Sequence, residues 1–404
     1  MLVAAGTYNT PQVLIDKALT VQGAGAAVTF INGGNTPIPA IGLVRINLPE
    51  TDTGNVLFAG FTVTNPGLTG SSRYHMFGKQ LSPASVITIS NNKLTGVNAS
   101  DYGFYTDRPR GKIVFDHNEL TNNAFNPILI ERPQGETDFH HNTISGHGST
   151  AYFSFTYSGN DVTGKQRVAD NTITGSAATA ISLNGASPIG GGFGKYSSVE
   201  ITNNVITQLG TNRFGISLSN GASTGNGPLG AIENPLITGN SISGTDLAGS
   251  KGIRLAGQIT NATIKSNNIR DVDRGVSGEV TNGHSATGAE VHFNNLVSNL
   301  NGLFWDGTAA VNAENNWWGC NFGPGLGGVG CSGTANGISG AGAANVDANP
   351  WLTLTFTATP PTVMQFGMTT LAAMLTINSD GVDTAPMAMF VPGTSASFTQ
   401  GGLG

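Results

Sequence analysis

Apolar and polar residues alternate along this chain in short bursts, and one burst keeps returning with an asparagine inside it. The six-residue pattern apolar-x-x-Asn-x-apolar occurs nine times: Ile89–Leu94, Phe115–Leu120, Phe139–Ile144, Val168–Ile173, Ile201–Ile206, Ile237–Ile242, Ile264–Ile269, Val291–Leu296 and Ala313–Trp318. The shared asparagines are Asn92, Asn118, Asn142, Asn171, Asn204, Asn240, Asn267, Asn294 and Asn316, spaced 26, 24, 29, 33, 36, 27, 27 and 22 residues apart. An earlier variant, Phe58–Val63, carries Phe61 in the asparagine's place. Each copy is followed by a second apolar run, such as Gly103-Phe104-Tyr105, Ile128-Leu129-Ile130, Ile181-Ser182-Leu183 or Ile253-Arg254-Leu255. Period-two alternation predicts strands, and no stretch carries a convincing helical period.

Repeats of this length, with two or three strands each and Gly and Asn at the corners, predict a β-solenoid. The apolar residues flanking each asparagine point inward and stack on like residues above and below. Asparagine is expected at the corner because it tolerates left-handed backbone angles. Its amide is also expected to bond to the next one, as stacked amides do in cross-β structures. Coils ~4.8 Å apart, ten to twelve in number, make a rod roughly 50–60 Å long.

With these motifs in view, the chain resembles bacterial right-handed parallel β-helix proteins of the pectate-lyase-like superfold. The likeness rests on the Asn-x-apolar repeats, the opening Ala5-Gly6-Thr7-Tyr8, the closing Asn315-Asn316-Trp317-Trp318-Gly319, and the run Val346 to Leu352. It covers residues 1–352 and implies an all-β fold. It says little about function, since the superfold hosts lyases, hydrolases, epimerases, phage spikes and adhesins. Residues 353–404 change character at Pro360-Pro361. Strands are predicted over Thr369–Ser379 and Ala388–Gln400, around an Asn378-Ser379-Asp380-Gly381 turn. This segment looks like a truncated bacterial immunoglobulin-like repeat, a partial β-sandwich. Its Asn378, Asp380 and Asp383 offer too few ligands for calcium, so a plain turn is expected. Both ends of the chain read as abrupt, and a larger parent protein is expected.

Composition narrows the setting. Only 10% of residues are charged and 58 are glycine, so the polar surface rests on amides and hydroxyls, which favours an extracellular or cell-surface protein. A net charge of −6 gives no footprint for nucleic acid. No run of 18 or more apolar residues is present to span a membrane as a helix.

In this superfold, chemistry sits on the outer face of one sheet, so charges one coil apart are the ones to seek. Asp107-Arg108 is followed 24 residues later by Glu131-Arg132, the interval that also separates Asn118 from Asn142. Asp107 is therefore expected over Glu131, and Arg108 over Arg132. Tyr105, Arg110, Tyr152 and Tyr157 are the expected sugar contacts around them. Arginine grips carboxylates in bidentate fashion, and tyrosine offers a flat apolar face. The paired carboxylates suit acid–base work, or a calcium ion in a lyase. The same rows also neutralise one another as surface ion pairs.

A second cluster, Asp116, His117, His140 and His141, precedes two of the asparagines. Histidine stacks can bind transition metals, but a solvated turn is the expectation here, so neither metal nor cofactor is assigned. Gly146-His147-Gly148 echoes polygalacturonases, yet the chain has no Asp-Asp pair, and the Arg-Ile-Lys of that family is reduced to Arg254-Leu255. No phage-spike trimerising segment is visible. The leading expectation is thus a non-catalytic β-helix region used for adhesion or glycan contact. The alternative is a secreted lyase or glycoside hydrolase acting on an acidic polysaccharide.

The two cysteines, Cys320 and Cys331, bracket a glycine-rich loop beside the Trp pair and lack the histidines a zinc site would need. A disulfide, and with it an oxidising compartment, is expected. Closing so short a loop contributes about 3 kcal/mol in the chain-entropy model. Non-reducing mass spectrometry of protein from its native source should show the pair two hydrogens lighter. Two alkylatable thiols would refute the bond.

Overall fold

The computed structural model describes residues 1–34, 42–64, 73–80, 82–96, 101–122, 126–146, 151–156, 161–175, 179–184, 195–220, 231–245, 248–325, 337–364 and 367–387. Short parallel strands stack into three long sheets of 13, 10 and 12 strands, here called sheets 1, 2 and 3. Successive strands of the chain visit the sheets in turn. One coil runs Lys112–Asp116 in sheet 1, Glu119–Thr121 in sheet 2 and Ile128–Glu131 in sheet 3. Among the described residues there is no α-helix, only two short 3-10 turns, and no helix long and apolar enough to cross a membrane.

The recurring motif spans the corner between sheets 1 and 2. Its first apolar residue is the last but one of a sheet 1 strand, as Ile89, Phe115 and Phe139 are, and its last lies in sheet 2, as Leu94, Leu120 and Ile144 do. Both point inward, so Ile89, Leu94, Phe115, Leu120, Phe139 and Ile144 are fully buried. Sheet 3 supplies the opposite wall through rows such as Met76, Phe104, Ile128, Phe153 and Ile181, paired in register. Rings of Phe104, Phe115 and Phe139 meet across the interior at centroid distances of 5.1–6.2 Å. The result is one continuous apolar column, as period-two patterning requires.

The nine asparagines form an unbroken ladder. Each Oδ1 accepts the backbone N–H and the side-chain Nδ2 of the asparagine one coil before. Asn142 receives Asn118 N at 2.9 Å and Asn118 Nδ2 at 3.2 Å, and Asn240 receives both from Asn204 at 3.0 Å. Each Nδ2 also donates to a backbone carbonyl of the preceding coil, as Asn204 does to Val168 O at 2.9 Å. At the start of the ladder the Phe61 N–H donates to Asn92 Oδ1 at 3.0 Å, and the Phe61 ring stacks on Phe58 at 4.6 Å.

One local expectation is corrected. The left-handed residue at the corner is the one before the ladder asparagine, with φ of 53° at His117, 56° at Asp170, 54° at Ser266 and 56° at Phe293. The ladder asparagine keeps ordinary backbone angles and is selected for its amide. The left-handed position beside it carries varied side chains, from the exposed His117 to Phe293, which is buried against Trp317 and Leu352.

At the far end, Trp305 and Trp318 are buried in the last coils. Leu352–Thr359 pairs antiparallel with Thr370–Asn378, and this hairpin joins the stack through Leu352 N to Asn316 O at 3.0 Å and Asn378 Nδ2 to Asn315 Oδ1 at 3.1 Å. The predicted strand over Thr369–Ser379 is thus present, shortened by one residue at each end. Asn378 spends its Oδ1 on the N–H groups of Asp380 and Val382, which makes this a hydrogen-bonded turn. The predicted Ala388–Gln400 strand lies outside the described residues. So does Cys331, the expected partner of buried Cys320.

Replacing Asn204 by Leu removes an acceptor from two Asn171 donors and a donor from Val168 O, all in a buried corner. The expected loss is roughly 2–4 kcal/mol. It should be read as a lower denaturant midpoint; a midpoint equal to wild type would show that the amides are dispensable.

Candidate functional site

The outward residues of sheet 3 form two lines along the axis. Strand register places Arg45, Phe77, Tyr105, Leu129, Ser154, Ser182, Ser217, Arg254, Ser277 and Phe304 in the first. Asp107 and Glu131 fall in the second, directly paired as the 24-residue interval predicts. Charges gather toward the two ends of this face, with serines between them.

At the first end, Arg132 crosses back to Asp107, with Nη2 at 2.6 Å and Nε at 2.9 Å from Oδ1. Arg108 Nε lies 3.7 Å from the same oxygen, and Tyr105 donates its hydroxyl to Glu131 Oε2 at 2.8 Å. Both arginines sit at left-handed positions, φ 50° and 51°, which turns the chain away after the carboxylate and lets the side chain fold back over the neighbouring coil. Two carboxylates are matched by two guanidinium groups, so the cluster is locally neutral. Arg110 is drawn off to Glu50 at 2.6 Å. Tyr152 is fully buried and its hydroxyl pKa is pushed up to about 12 by that burial, so it offers no face to a sugar. Tyr152 and its neighbour Phe153 are both buried, so alternation fails where this strand starts. Tyr157 lies outside the described residues.

At the second end stands a cluster that sequence reading missed. Lys251, Arg254 and Arg274 converge on one carboxylate, Glu279. Lys251 Nζ pairs with Oε1, Arg254 Nε donates to Oε2 at 2.8 Å, Arg274 Nη1 reaches Oε1 at 3.3 Å, and Ser277 Oγ donates to Oε1 at 2.9 Å. Asp273 lies 3.7 Å from Arg274 Nε. The Arg274 guanidinium covers the Phe304 ring at 3.4 Å, while Lys251 and Arg254 lie over Phe214 at 4.8 and 5.2 Å. Three cations against two carboxylates leave a positive excess in a chain of net charge −6. Lys251 and Arg274 are 23 residues apart, whereas the asparagines of the same coils, Asn240 and Asn267, are 27 apart. The loops between ladder and sheet 3 differ in length, so the ladder interval misaligns this pair. The register of the inward row Ile253 and Val276 would have found it.

Burial alone would raise the Glu279 carboxyl, but hydrogen bonds and charge from Lys251 and Arg254 outweigh it and bring its pKa down to about 2. Burial lowers Lys251, against the pull of Glu279. Glu279 is held as a permanent anion, unsuited to give or take a proton.

The histidine cluster occupies the corner between sheets 1 and 2, away from this face. Asp116 pairs with His140 in register, and the rings of His117 and His141 stack at 4.9 Å, as their spacing predicts. Burial lowers the His140 pKa despite Asp138 and Asp116 nearby.

Residues 80–229 match the family model described as the right handed beta helix region. The fold is a right-handed parallel β-helix. Among solved β-helix structures, the catalytic unit of a thermostable GH87 alpha-1,3-glucanase from Streptomyces thermodiastaticus is similar at 14% identity and a TM-score of 0.54, over 87% of this chain and 63% of that one. The Dettilon tailspike protein is similar at 12% identity and a TM-score of 0.45, over 84% of this chain and 62% of that one. The mannuronan C-5 epimerase A-module of Azotobacter vinelandii is similar at 12% identity and a TM-score of 0.43, over 84% and 86%. This chain therefore spans less than two thirds of the glucanase and tailspike chains. No curated protein matches the sequence. At these identities the likeness is one of fold.

The Glu279 network makes stability depend on acid. Its carboxyl is lower in the folded β-helix (about 2) than unfolded (4.5), so its contribution is complete above pH 4.5 and fades as pH falls toward 2. Glu279→Gln should lower stability at neutral pH by on the order of 1–3 kcal/mol, screened because the group is partly solvated. The gap from wild type should close over that acid window. Unfolding midpoints that stay parallel from pH 7 to pH 2 would contradict this reading.

Proposed function

We propose that this β-helix is a non-catalytic glycan-contact region of a larger extracellular or cell-surface bacterial protein, serving adhesion, and that it binds acidic polysaccharide along the outer face of sheet 3. The observation that carries the reading is the positive excess of Lys251, Arg254 and Arg274, set on the rings of Phe214 and Phe304. Arginine and lysine recognise uronate carboxylates or sulfates, and aromatic faces add apolar contact. The face runs along the rod axis, so an extended chain lying on it can meet both charged ends. Tyr105 to Arg254 spans five coil steps, roughly 24 Å.

The partners of the carboxylates favour a non-catalytic role. Hydrolysis and β-elimination need side chains free to reach the substrate's reacting atoms. Asp107 is tied to Arg132, Glu131 accepts the Tyr105 hydroxyl, and Glu279 is held ionised. These partners make anchors of them. The Asp107–Glu131 cluster orients the glycan through Tyr105 and Arg108, and contributes less because it is neutral overall.

Retention on an array of uronate and sulfated glycans, weakening with salt, is the expected behaviour of the wild type. Arg254→Ala combined with Arg274→Ala should weaken it about tenfold or more, and Arg108→Ala only slightly, with folding of each variant checked by melting temperature. Incubation with the retained glycan should yield no ultraviolet-absorbing unsaturated product and no new reducing ends. Absence of retention on every acidic glycan would overturn the binding proposal. Release of either product would establish the lyase or hydrolase instead.

A further inference from the structure

The corner between sheets 1 and 2 carries a second arrangement, independent of the glycan face. We infer that Asp116, His117 and His140 form a binding site for a late first-row divalent metal ion, zinc foremost, bridging two successive coils. One ligand atom from each of the three lies within 4.8 Å of the others. A tetrahedral zinc site holds its ligands roughly 3.3 Å apart, so small side-chain rotations close the set. Two imidazoles and a carboxylate suit zinc, nickel or copper and leave a fourth position for water.

Several features prepare the set. Asp116 and His140 are register partners on adjacent strands, so β-sheet hydrogen bonding fixes their separation. Asp116 presents Oδ2 to His117 Nδ1 at 3.0 Å, while its Oδ1 is buried with no hydrogen-bond partner, an uncommon state for a carboxylate oxygen and one a cation would relieve. His117 sits at a left-handed backbone position that throws its ring across to the next coil, where it stacks within 2° of parallel on His141. His141 Nδ1 faces His140 Nδ1 at 2.9 Å, holding the His140 ring in place. Behind them, Asp138 lies 4.0 Å from His140 Nε2 and is bonded to Arg167, which also reaches Asp170. Three carboxylates against one guanidinium leave an excess of two negative charges at the corner. At 4.0 Å Asp138 makes no hydrogen bond to His140 Nε2, so it adds negative charge and leaves that nitrogen open to the ion.

The test uses the untagged 404-residue chain, because a histidine tag would mask the signal. Titration calorimetry with Zn²⁺ in chelator-treated buffer should show one ion per chain, and Co²⁺ should give the visible absorption band of a tetrahedral site. His117→Ala and His140→Ala should each weaken Zn²⁺ binding by more than about tenfold, and their combination should remove it. His292→Ala, a histidine held by Glu290 at 2.6 Å on a distant coil, should bind as wild type. Zn²⁺ should raise the melting temperature of wild type and of His292→Ala but not that of the double variant. If an alanine variant fails to fold, Asp116→Asn keeps the shape and should show the same loss. No saturable binding of Zn²⁺ or Co²⁺ by wild type, or unchanged affinity in the double variant, would overturn the site.

Discussion

From Phe61 to Asn294 the described coils turn the corner between sheets 1 and 2 at a buried backbone N–H, and the architecture there depends on finding that group an acceptor. The Asn carboxamide of the next coil supplies it. An amide accepts from the coil before through its oxygen and has two protons to give, one back to a carbonyl there and one onward to the next amide, where a hydroxyl has only one. It can also pass the same geometry on to its successor. Hydrophobic stacking supplies most of the drive to fold, but apolar contact is non-directional and would tolerate slippage between coils. The ladder is directional. It fixes the register of sheets 1 and 2, and through them the lines of side chains on every outer face.

That register explains what was legible in the sequence and what was not. Asn92 to Asn316 could be read directly because amide and flanking apolar residues lie within six residues of one another, inside the constraint. Asp107 over Glu131 was legible because Asp107-Arg108-Pro109 and Glu131-Arg132-Pro133 repeat one another 24 residues apart, although the asparagines of their coils, Asn92 and Asn118, are 26 apart. Lys251 over Arg274 was invisible because the intervening loops have unequal lengths, and a fixed interval then points at the wrong residue. Tyr152 was misplaced because its strand begins with its side chain turned inward, which no local pattern signals. The role of the corner asparagine was half legible. Its hydrogen bonding was foreseen, while the left-handed strain falls on its neighbour, a position whose identity varies from His to Phe.

Charge on the rod follows from the same spacing. Side chains in one line repeat every ~4.8 Å, so like charges on adjacent coils would repel strongly. The chain meets this by pairing across coils, as in Arg132 with Asp107 and Lys112 with Glu136. The exceptions therefore stand out. A positive excess around Glu279 and a negative one around His140 are places where the rod keeps unbalanced charge, on two different faces.

The unequal spacing of the asparagines, from 22 to 36 residues, has an evolutionary consequence. Length added between the end of one motif and the start of the next is extruded sideways and leaves the ladder untouched. A single residue added inside the six-residue motif would instead turn the following side chains of that strand to the opposite face and break the amide contact to the next coil. Insertions and deletions should thus be common in the loops of relatives and nearly absent within the motif. A lineage can then remodel what the rod displays by changing loop length, coil by coil, while the scaffold beneath stays the same.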